Sequence, residues 1–236
     1  MTPLLSVANL RAFYGRAQIL FDLSLEVGEG EVVALMGRNG AGKSTTFKSI
    51  MGLLDGTQGE IGFRGKSIAR QEPFEIARLG LGYVPEQRRI FTELSVLENL
   101  SVGLQPARRG APQWTAEKLF ALFPNLGEMP GRPGGQMSGG EQQMLAIART
   151  LMGNPYLVLL DEPSEGLAPK IVEDMAHMIL KLKQEGLSVL LSEQNLHFAQ
   201  WVSDRAYVME KGQIRYGGDM RKLAGDEETK RLYLSL

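Results

Sequence analysis

The sequence predicts an α/β fold in which helices pack on a mixed, mainly parallel sheet, with an antiparallel β subdomain near the N-terminus and a helical insert. Two observations support this prediction. Continuous apolar runs, typical of strands buried on both faces, occur at 31–37, 156–162 and 187–193. Between the last two runs, apolar residues recur at helical spacing at Ile171, Met175, Met178, Ile179 and Leu182. A strand, a helix and a strand in this order indicate a parallel sheet covered by helices.

The N-terminal part of the chain alternates between apolar and polar residues. Residues 21–27, FDLSLEV, place the two kinds of side chain on opposite faces, which predicts a half-buried strand. Another short strand, IGFRG near residue 61, is expected after a turn in DGTQG at 55–59. These strands form the predicted antiparallel subdomain.

From about 88 to 150 the strand signals fade, and three segments, 95–100, 115–123 and 138–152, favour helices. Ser95 and Glu98 have the spacing of a capping box at the start of the first of these segments. We therefore expect one domain over residues 1–236, with a helical subdomain at about 88–150 inserted in the core.

The composition excludes several classes of protein. A net charge of −1 over 236 residues argues against a dedicated nucleic-acid binder. The absence of cysteine rules out disulfides and thiolate metal sites. The longest clean apolar run, 157–160, is far shorter than the ~20 residues of a spanning helix, and the first residues do not resemble a signal peptide. We expect a cytoplasmic protein that depends on another subunit if it works at a membrane.

Residues 37–44, GRNGAGKS, match the phosphate-binding pattern G-x-x-x-x-G-K-[ST] between a buried strand and a helix, and thus predict a P-loop NTPase core. The glycines let successive backbone N–H groups face one anion, to which the helix N-terminus adds partial positive charge. Lys43 supplies a full charge for the outer phosphates, and Ser44 offers a hydroxyl to Mg²⁺. The predicted nucleotide-binding residues of this segment are Gly37, Arg38, Asn39, Gly40, Ala41, Gly42, Lys43, Ser44 and Thr45.

Two acidic residues follow the second buried run. Asp161 ends that strand, and ligands of open parallel sheets bind at the carboxyl edge, so Asp161 is expected near the P-loop and Mg²⁺. Glu162 comes next and is expected to point elsewhere, because side chains alternate at a strand end. A carboxylate near the outer phosphate can orient and deprotonate water. The simpler interpretation is that both acids cap a strand with solvated charge.

Residues 137–143, MSGGEQQ, begin another predicted helix. Ser138 and Glu141 have the spacing of a capping box, which explains those two residues structurally. Gly139 and Gly140 remain unexplained, because a glycine weakens a helix by ~1 kcal/mol relative to alanine. Two glycines in a first turn indicate that another group must approach the backbone closely.

GRNGAGKS, MSGGEQQ and LLDEP together resemble the ATPases of the ATP-binding-cassette (ABC) family, and the resemblance covers nearly the whole chain. It implies ATP and Mg²⁺ as cofactors, and two cassettes that face each other head to tail. The MSGGEQQ helix of one cassette then closes over the γ-phosphate held by the P-loop of the other. By resemblance, the nucleotide site also includes Tyr14, which stacks on adenine, and Ser138, Gly139, Gly140 and Glu141.

Two positions depart from the usual family pattern. In GYVPEQRRIF the usual glutamine aligns with Glu86, while Gln87 is one place further on, so either side chain could face the metal. In LLSEQNL, Gln194 stands where a histidine is usual; it can donate a hydrogen bond but cannot carry a proton. His197, one turn further on, is an alternative. The resemblance assigns the metal to Ser44, Glu86 and Asp161, and catalysis to Lys43, Glu162 and Gln194.

Glu86, Gln194 and GLAP at 166–169 are similar to one branch of importer ATPases, which serves branched-chain amino acids or related small amides such as urea. The implied partners are a second ABC ATPase, identical or homologous, transmembrane permease subunits, and indirectly a periplasmic solute-binding protein, with no nucleic acid. The chain would then be peripheral on the inner face of the cell membrane. The alternatives are an ABC exporter ATPase, a non-transport ABC clamp protein and, less consistent with MSGGEQQ, a P-loop kinase.

Overall fold

The computed structural model describes residues 2–234. Residues 1, 235 and 236, which the expected single domain includes, lie outside this range. The described residues form ten strands: β1 (Leu5–Tyr14), β2 (Ala17–Val27), β3 (Val32–Met36), β4 (Gly56–Phe63), β5 (Lys66–Ser67), β6 (Leu81–Val84), β7 (Leu157–Asp161), β8 (Ser188–Glu193), β9 (Arg205–Glu210) and β10 (Gln213–Asp219).

The α-helices of the described residues lie between and after these strands. They are α1 (Lys43–Ile50), α2 (Pro73–Arg78), α3 (Val96–Val102), α4 (Ala116–Leu122), α5 (Pro124–Gly127), α6 (Gly139–Leu151), α7 (Pro169–Gln184), α8 (Leu196–Val202), α9 (Met220–Gly225) and α10 (Glu227–Thr229). No helix among residues 2–234 is long and apolar enough to cross a membrane.

The larger sheet has the strand order β10-β9-β3-β8-β7-β6. Its strands run parallel from β9 to β6, and only β10 is antiparallel to its neighbour. All five residues of β3 are buried, and alternate residues join different cores. Val32, Ala34 and Met36 pack with the helices of one face, whereas Val33 and Leu35 pack towards α1 and the smaller sheet. The predicted mainly parallel sheet, buried on both faces, is confirmed.

The smaller sheet is antiparallel and has the order β2-β1-β4-β5, which confirms the predicted N-terminal subdomain. The predicted turn in DGTQG is wrong, because β4 already begins at Gly56. Gly59 has φ +111 where the pairing with β1 shifts register between Ala8 and Arg11. A Cβ on Gly59 would lie 2.6 Å from the Asn9 carbonyl oxygen. The glycine that suggested a turn therefore permits a bulge inside a strand.

Between β6 and β7 the chain forms helices α3 to α6, in the region where a helical insert is expected. The side chains of Ser95 and Ser138 each accept a hydrogen bond from the backbone N–H three residues later, and Glu98 and Glu141 close the two capping boxes. Apolar residues of α3 and α6 share one core with the strands of the larger sheet. The helices of this region thus pack on the same sheet that carries the P-loop segment.

Candidate functional site

The loop from Gly37 to Gly42 joins β3 to α1. Neighbouring residues pack so closely against its first and last glycines that neither position has space for a side chain. Gly42 has φ +112, and a Cβ there would lie 2.8 Å from the side chains of Leu20 and Met209. A Cβ on Gly37 would lie 2.5 Å from the Met209 carbonyl oxygen. Glycine is therefore required at both ends of this loop.

Lys43, the first residue of α1, is buried beneath the loop, with a relative exposure of 3%. Its Nζ donates to the carbonyl oxygens of Gly37 at 2.8 Å and Arg38 at 3.2 Å. The same Nζ forms an ion pair with Glu162 Oε1 at 2.9 Å. These contacts hold the lysine charge at the carboxyl edge of the larger sheet.

Asp161, the last residue of β7, is only 2% exposed and is surrounded by hydroxyl donors. Ser44 Oγ donates to its Oδ1 at 3.0 Å, Ser192 Oγ to the same oxygen at 2.7 Å, and Tyr83 OH to Oδ2 at 3.2 Å. Burial raises the pKa of Asp161, and these hydrogen bonds offset only part of that rise. The structure thus brings Ser44 and Asp161 together, as the sequence predicts.

Glu162 is the first residue after β7, and its left-handed backbone, φ +48, removes it from strand alternation. The side chain of Glu162 nevertheless points elsewhere than that of Asp161, as expected, since Glu162 contacts Lys43 while Asp161 contacts the adjacent Ser44. The expected reason, alternation along a strand, does not apply, because β7 ends at Asp161. Gln194 Nε2 donates to Glu162 Oε2 at 2.8 Å and to Asn39 Oδ1 at 2.7 Å. The three predicted catalytic residues, Lys43, Glu162 and Gln194, form one connected cluster.

The Glu162 carboxylate also interacts with Glu165. Burial alone would raise the pKa of Glu162, but hydrogen bonds, the one with Glu165 being the largest, lower it below its usual value. In turn, the hydrogen bond with Glu162, together with burial, raises the pKa of Glu165 to about 7. The pair therefore takes up one proton as pH falls through about 7, a far higher pH than an ordinary carboxyl group requires.

A cavity of about 450 Å³ adjoins the P-loop. Tyr14 lies at its rim, at the end of β1, and is 46% exposed. Glu86 lines this cavity, whereas Gln87 is not among the lining residues. Of the predicted nucleotide-binding and metal residues, the cavity is lined by Tyr14, Asn39, Gly40, Gly42, Lys43, Ser44, Thr45 and Glu86. Gly37, Arg38 and Ala41 are not among its lining residues.

The oxygen donors at this edge fit a magnesium ion. Ser44 Oγ and Asp161 Oδ1 lie 3.0 Å apart, and Glu86 lines the adjoining cavity. Mg²⁺ prefers such oxygens and retains several waters beside one or two carboxylates. Within residues 2–234, no group of three or more His, Cys, Asp or Glu side chains could hold a metal ion.

Three residues that support the site were missed from the sequence. Tyr83 and Ser192 contact Asp161, and the buried Glu193 accepts hydrogen bonds from the backbone N–H groups of Ser164 and Gln194. Glu193 thereby connects the segment after β7 to the segment after β8 through hydrogen bonds. The signal was present, because Ser192 and Glu193 are polar residues that end a strand buried along its whole length.

The glycine-led end of α6 does not line the P-loop cavity of the same chain. Ser138, Gly139, Gly140 and Glu141 form its cap and first turn. A Cβ on Gly139 would lie 2.9 Å from Arg88 Nη1, and one on Gly140 would lie 3.0 Å from Ile171 Cγ2. Side chains of the same chain therefore already approach both glycines closely.

The ABC transporter family model matches residues 20–165, and the chain belongs to this family of ATP-binding cassettes. Over 89% of this chain and 91% of the relative, it is 44% identical to the high-affinity branched-chain amino acid transport ATP-binding protein BraG of Pseudomonas aeruginosa. It is 37% identical to the lipopolysaccharide export system ATP-binding protein LptB of Haemophilus influenzae, over 98% of this chain and 97% of the relative.

Solved structures agree with the family assignment. The ADP conformation of MJ1267, an ATP-binding cassette of an ABC transporter, matches with a TM-score of 0.81 and 29% identity, over 98% of both chains. A dimeric post-hydrolysis state of the cassette MJ0796, bound to ADP and Pi, matches with a TM-score of 0.78 and 25% identity, over 92% of this chain and 99% of the other. The chain is thus an ABC ATPase that binds nucleotide, and ATP hydrolysis is its expected activity.

Proposed function

We propose that this chain is the ATP-binding and ATP-hydrolysing subunit of an ABC importer for branched-chain amino acids or a related small amide such as urea. Among the compared relatives, the 44% identity to BraG supports the amino-acid importer. Glu86, Gln194 and GLAP at 166–169 are similar to the same branch. The 37% identity to LptB over 98% of the chain supports a second candidate, the ATPase of an exporter.

The observation that carries the proposed chemistry is the double contact between the start of α1 and the end of β7. Lys43 meets Glu162 at 2.9 Å and Ser44 meets Asp161 at 3.0 Å. Lys43 exchanges its contact with Glu162 for the outer phosphates of ATP, and Glu162 is then free to orient and deprotonate the attacking water. Gln194 holds the Glu162 carboxylate and donates a hydrogen bond without itself titrating.

Ser44, Asp161 and Glu86 are the proposed magnesium ligands, directly or through water. A magnesium ion held by these residues would supply positive charge against the charge that develops during phosphoryl transfer. Tyr83 and Ser192 orient the Asp161 carboxylate by donating to its two oxygens. A carboxylate held in this way presents its remaining lone pairs in a fixed direction.

The second half of the site comes from another cassette, of the same or a homologous chain. Ser138 to Glu141 do not line the P-loop cavity of their own chain. The capping box occupies the backbone N–H groups of Ser138 and Glu141, so those of Gly139 and Gly140 are the ones offered to a nucleotide on a partner. The dimeric structure of MJ0796 with ADP and Pi supports this arrangement. The proposed unit is one domain with the helical subdomain at about 88–150 inserted.

A groove of about 570 Å³ between α2, β6, α3 and α6 is the proposed docking site of a transmembrane permease. Its lining includes Leu53, Phe74 and Val102, which are 45%, 56% and 53% exposed. Such a cluster of exposed apolar side chains marks an interaction surface. Tyr83 lines the groove and also donates to Asp161, so the permease contact and the magnesium site share one side chain. The protein would thus lie on the inner face of the membrane, with a periplasmic solute-binding protein acting through the permease.

The proposed ATPase is tested with Glu162→Gln, and Glu128→Gln, on the exposed surface, is the matched control. We expect the first change to lower turnover by ~10²–10⁴ and to stabilise an ATP-bound dimer in solution, measured by light scattering. The control should keep the original rate. An unchanged rate in Glu162→Gln, measured on a protein that remains monomeric with ATP, contradicts the shared-site mechanism.

Transport direction and substrate need the assembled transporter. The chain is purified with its permease and reconstituted in vesicles, with ATP on the side of the chain and the solute-binding protein on the opposite side. Uptake of labelled leucine or urea that disappears with Glu162→Gln supports the importer. ATP-dependent extraction of lipopolysaccharide, without uptake of either solute, supports the exporter.

A further inference from the structure

A second cavity, of about 560 Å³, lies between the α4–α5 segment, the start of α6, and α7. It is separate from the P-loop cavity and shares no lining residue with it. Its wall is largely apolar and includes Leu122, Leu126, Met144, Ile171 and Met178. Small-molecule sites usually have volumes of ~300–1,000 Å³ and apolar walls with a few polar groups. The cavity therefore has the size and lining of a ligand site.

The charged side chains that line this cavity differ in whether they already have a partner within the chain. Asp174 forms an ion pair with Lys170 at 3.2 Å, and Glu141 accepts the backbone N–H of Ser138 at 2.7 Å. Lys181 lies on the lining face of α7, and its side chain has no ion pair or hydrogen bond within the part of the chain that the structure describes. Lys181 is therefore the charged side chain of the lining that has no partner among residues 2–234.

We propose that this cavity binds a small amphipathic monocarboxylate, with its apolar chain against Leu122, Met144 and Met178 and its carboxylate on Lys181. A polyanion such as a nucleotide would meet one available cation beside two carboxylates, which disfavours it. A cationic amphiphile would compete for carboxylates that already have partners. The apolar wall and the ammonium group of Lys181, unpaired within residues 2–234, together favour a ligand with one negative charge.

A ligand in this cavity would contact two parts of the fold, helix α6 and helix α7. Gly140 and Met144 line it from α6, and Ile171 and Met178 line it from α7. The ligand would thus join the helices between β6 and β7 to the helix that follows the Glu162 segment. Since Gly140 is in the first turn of α6, the occupied cavity lies directly beneath the glycine-led helix end.

The test uses decanoate at monomeric concentrations and the full chain, with binding measured by calorimetry. Lys181→Gln removes the rim charge, and Lys222→Gln, an exposed lysine of α9 outside the cavity, is the matched control. We expect saturable one-to-one binding that Lys181→Gln weakens at least ~10-fold, as loss of a charge-assisted contact does. Lys222→Gln should bind decanoate as the unchanged protein does, and uncharged decanol should bind both proteins equally.

A second variant, Leu122→Trp, fills the cavity with a larger apolar side chain, and circular dichroism checks that it folds. Loss of decanoate binding in the folded variant supports the site. Equal decanoate affinity in the unchanged protein and Lys181→Gln overturns the proposal, as does the absence of saturable binding. Both readouts are independent of nucleotide, so failure of the proposed ATPase function would leave this test intact.

Discussion

The Nζ atom of Lys43 lies 2.9 Å from Oε1 of Glu162, and both side chains are almost fully buried. Burial of either charge alone would cost free energy, because the charge loses its contact with water. In the pair, the attraction between the two charges offsets this cost. Lys43 is also the group that the proposed mechanism assigns to phosphate. Nucleotide binding and this ion pair therefore compete for one ammonium group.

The buried ion pair predicts that Lys43→Met lowers the free energy of unfolding. The change leaves Glu162 buried without its cation, and we expect a loss of about 2–3 kcal/mol, below the usual cost because Gln194 still donates to the carboxylate. The double variant Lys43→Met with Glu162→Gln should regain most of that loss. Urea unfolding measures both, and Lys170→Met in an exposed pair is the control. Equal losses in the single and double variants would show that the pair is not coupled.

Gln194 connects Glu162 to Asn39 of the P-loop. Gln194→Ala removes both hydrogen bonds but no charge, so we expect turnover to fall by about 10²-fold, because a small displacement of a catalytic group has that effect. Affinity for ATP should change little. Steady-state kinetics separate the two quantities, and His197→Ala, on the neighbouring exposed turn, is the control. A loss of activity confined to His197→Ala would transfer the role to the histidine.

The sequence was sufficient to predict the elements whose residues carry a local signal. Capping boxes identified the starts of α3 and α6, and the apolar runs identified β3, β7 and β8. The predicted turn in DGTQG failed because a glycine with positive φ serves a turn and a bulge equally well. Within the site, the meeting of the P-loop with Asp161 at the carboxyl edge of the sheet was predicted, whereas the contact of Ser192 with Asp161 was missed. Ser192 meets Asp161 only because β7 and β8 pair in that register.

The Glu162–Glu165 pair predicts how stability depends on pH. The folded state raises the pKa of Glu165 to about 7, above its usual value of 4.5, so this group stabilises the protein below pH 4.5 and the contribution is lost as pH rises through 7. Because the side chain is exposed, solvent screening limits the effect to about 1 kcal/mol or less. Glu165→Gln should flatten this part of the profile, measured as melting temperature from pH 5 to 8. An unchanged slope would mean that the two carboxyl groups do not share a proton.

A substitution of Gly140 tests whether glycine is needed there for packing within the chain or for contact with the nucleotide of a partner. Gly140→Ala brings a Cβ within 3.0 Å of Ile171 Cγ2, in the first turn of the helix whose backbone is proposed to meet the nucleotide of the other cassette. We expect ATP-dependent dimerisation to fall at least ~10-fold, while the melting temperature of the monomer changes by only a few degrees. Adding Ile171→Val relieves the internal contact. Rescue of dimerisation by that second change would show that the glycine serves only internal packing.

Phe74, in α2, is 56% exposed at the proposed permease groove. We expect its replacement to weaken binding of the permease and to leave ATP hydrolysis unchanged. Burial of a phenylalanine side chain contributes ~1.5–3 kcal/mol, so Phe74→Asp should reduce permease affinity by at least ~10-fold. ATP hydrolysis by the isolated chain should remain, because Phe74 lies outside the P-loop cavity. Phe21→Asp, at an exposed position of β2 outside the groove, is the matched control. Co-purification with the permease measures the effect, and equal recovery of both variants would place the docking surface elsewhere on the chain.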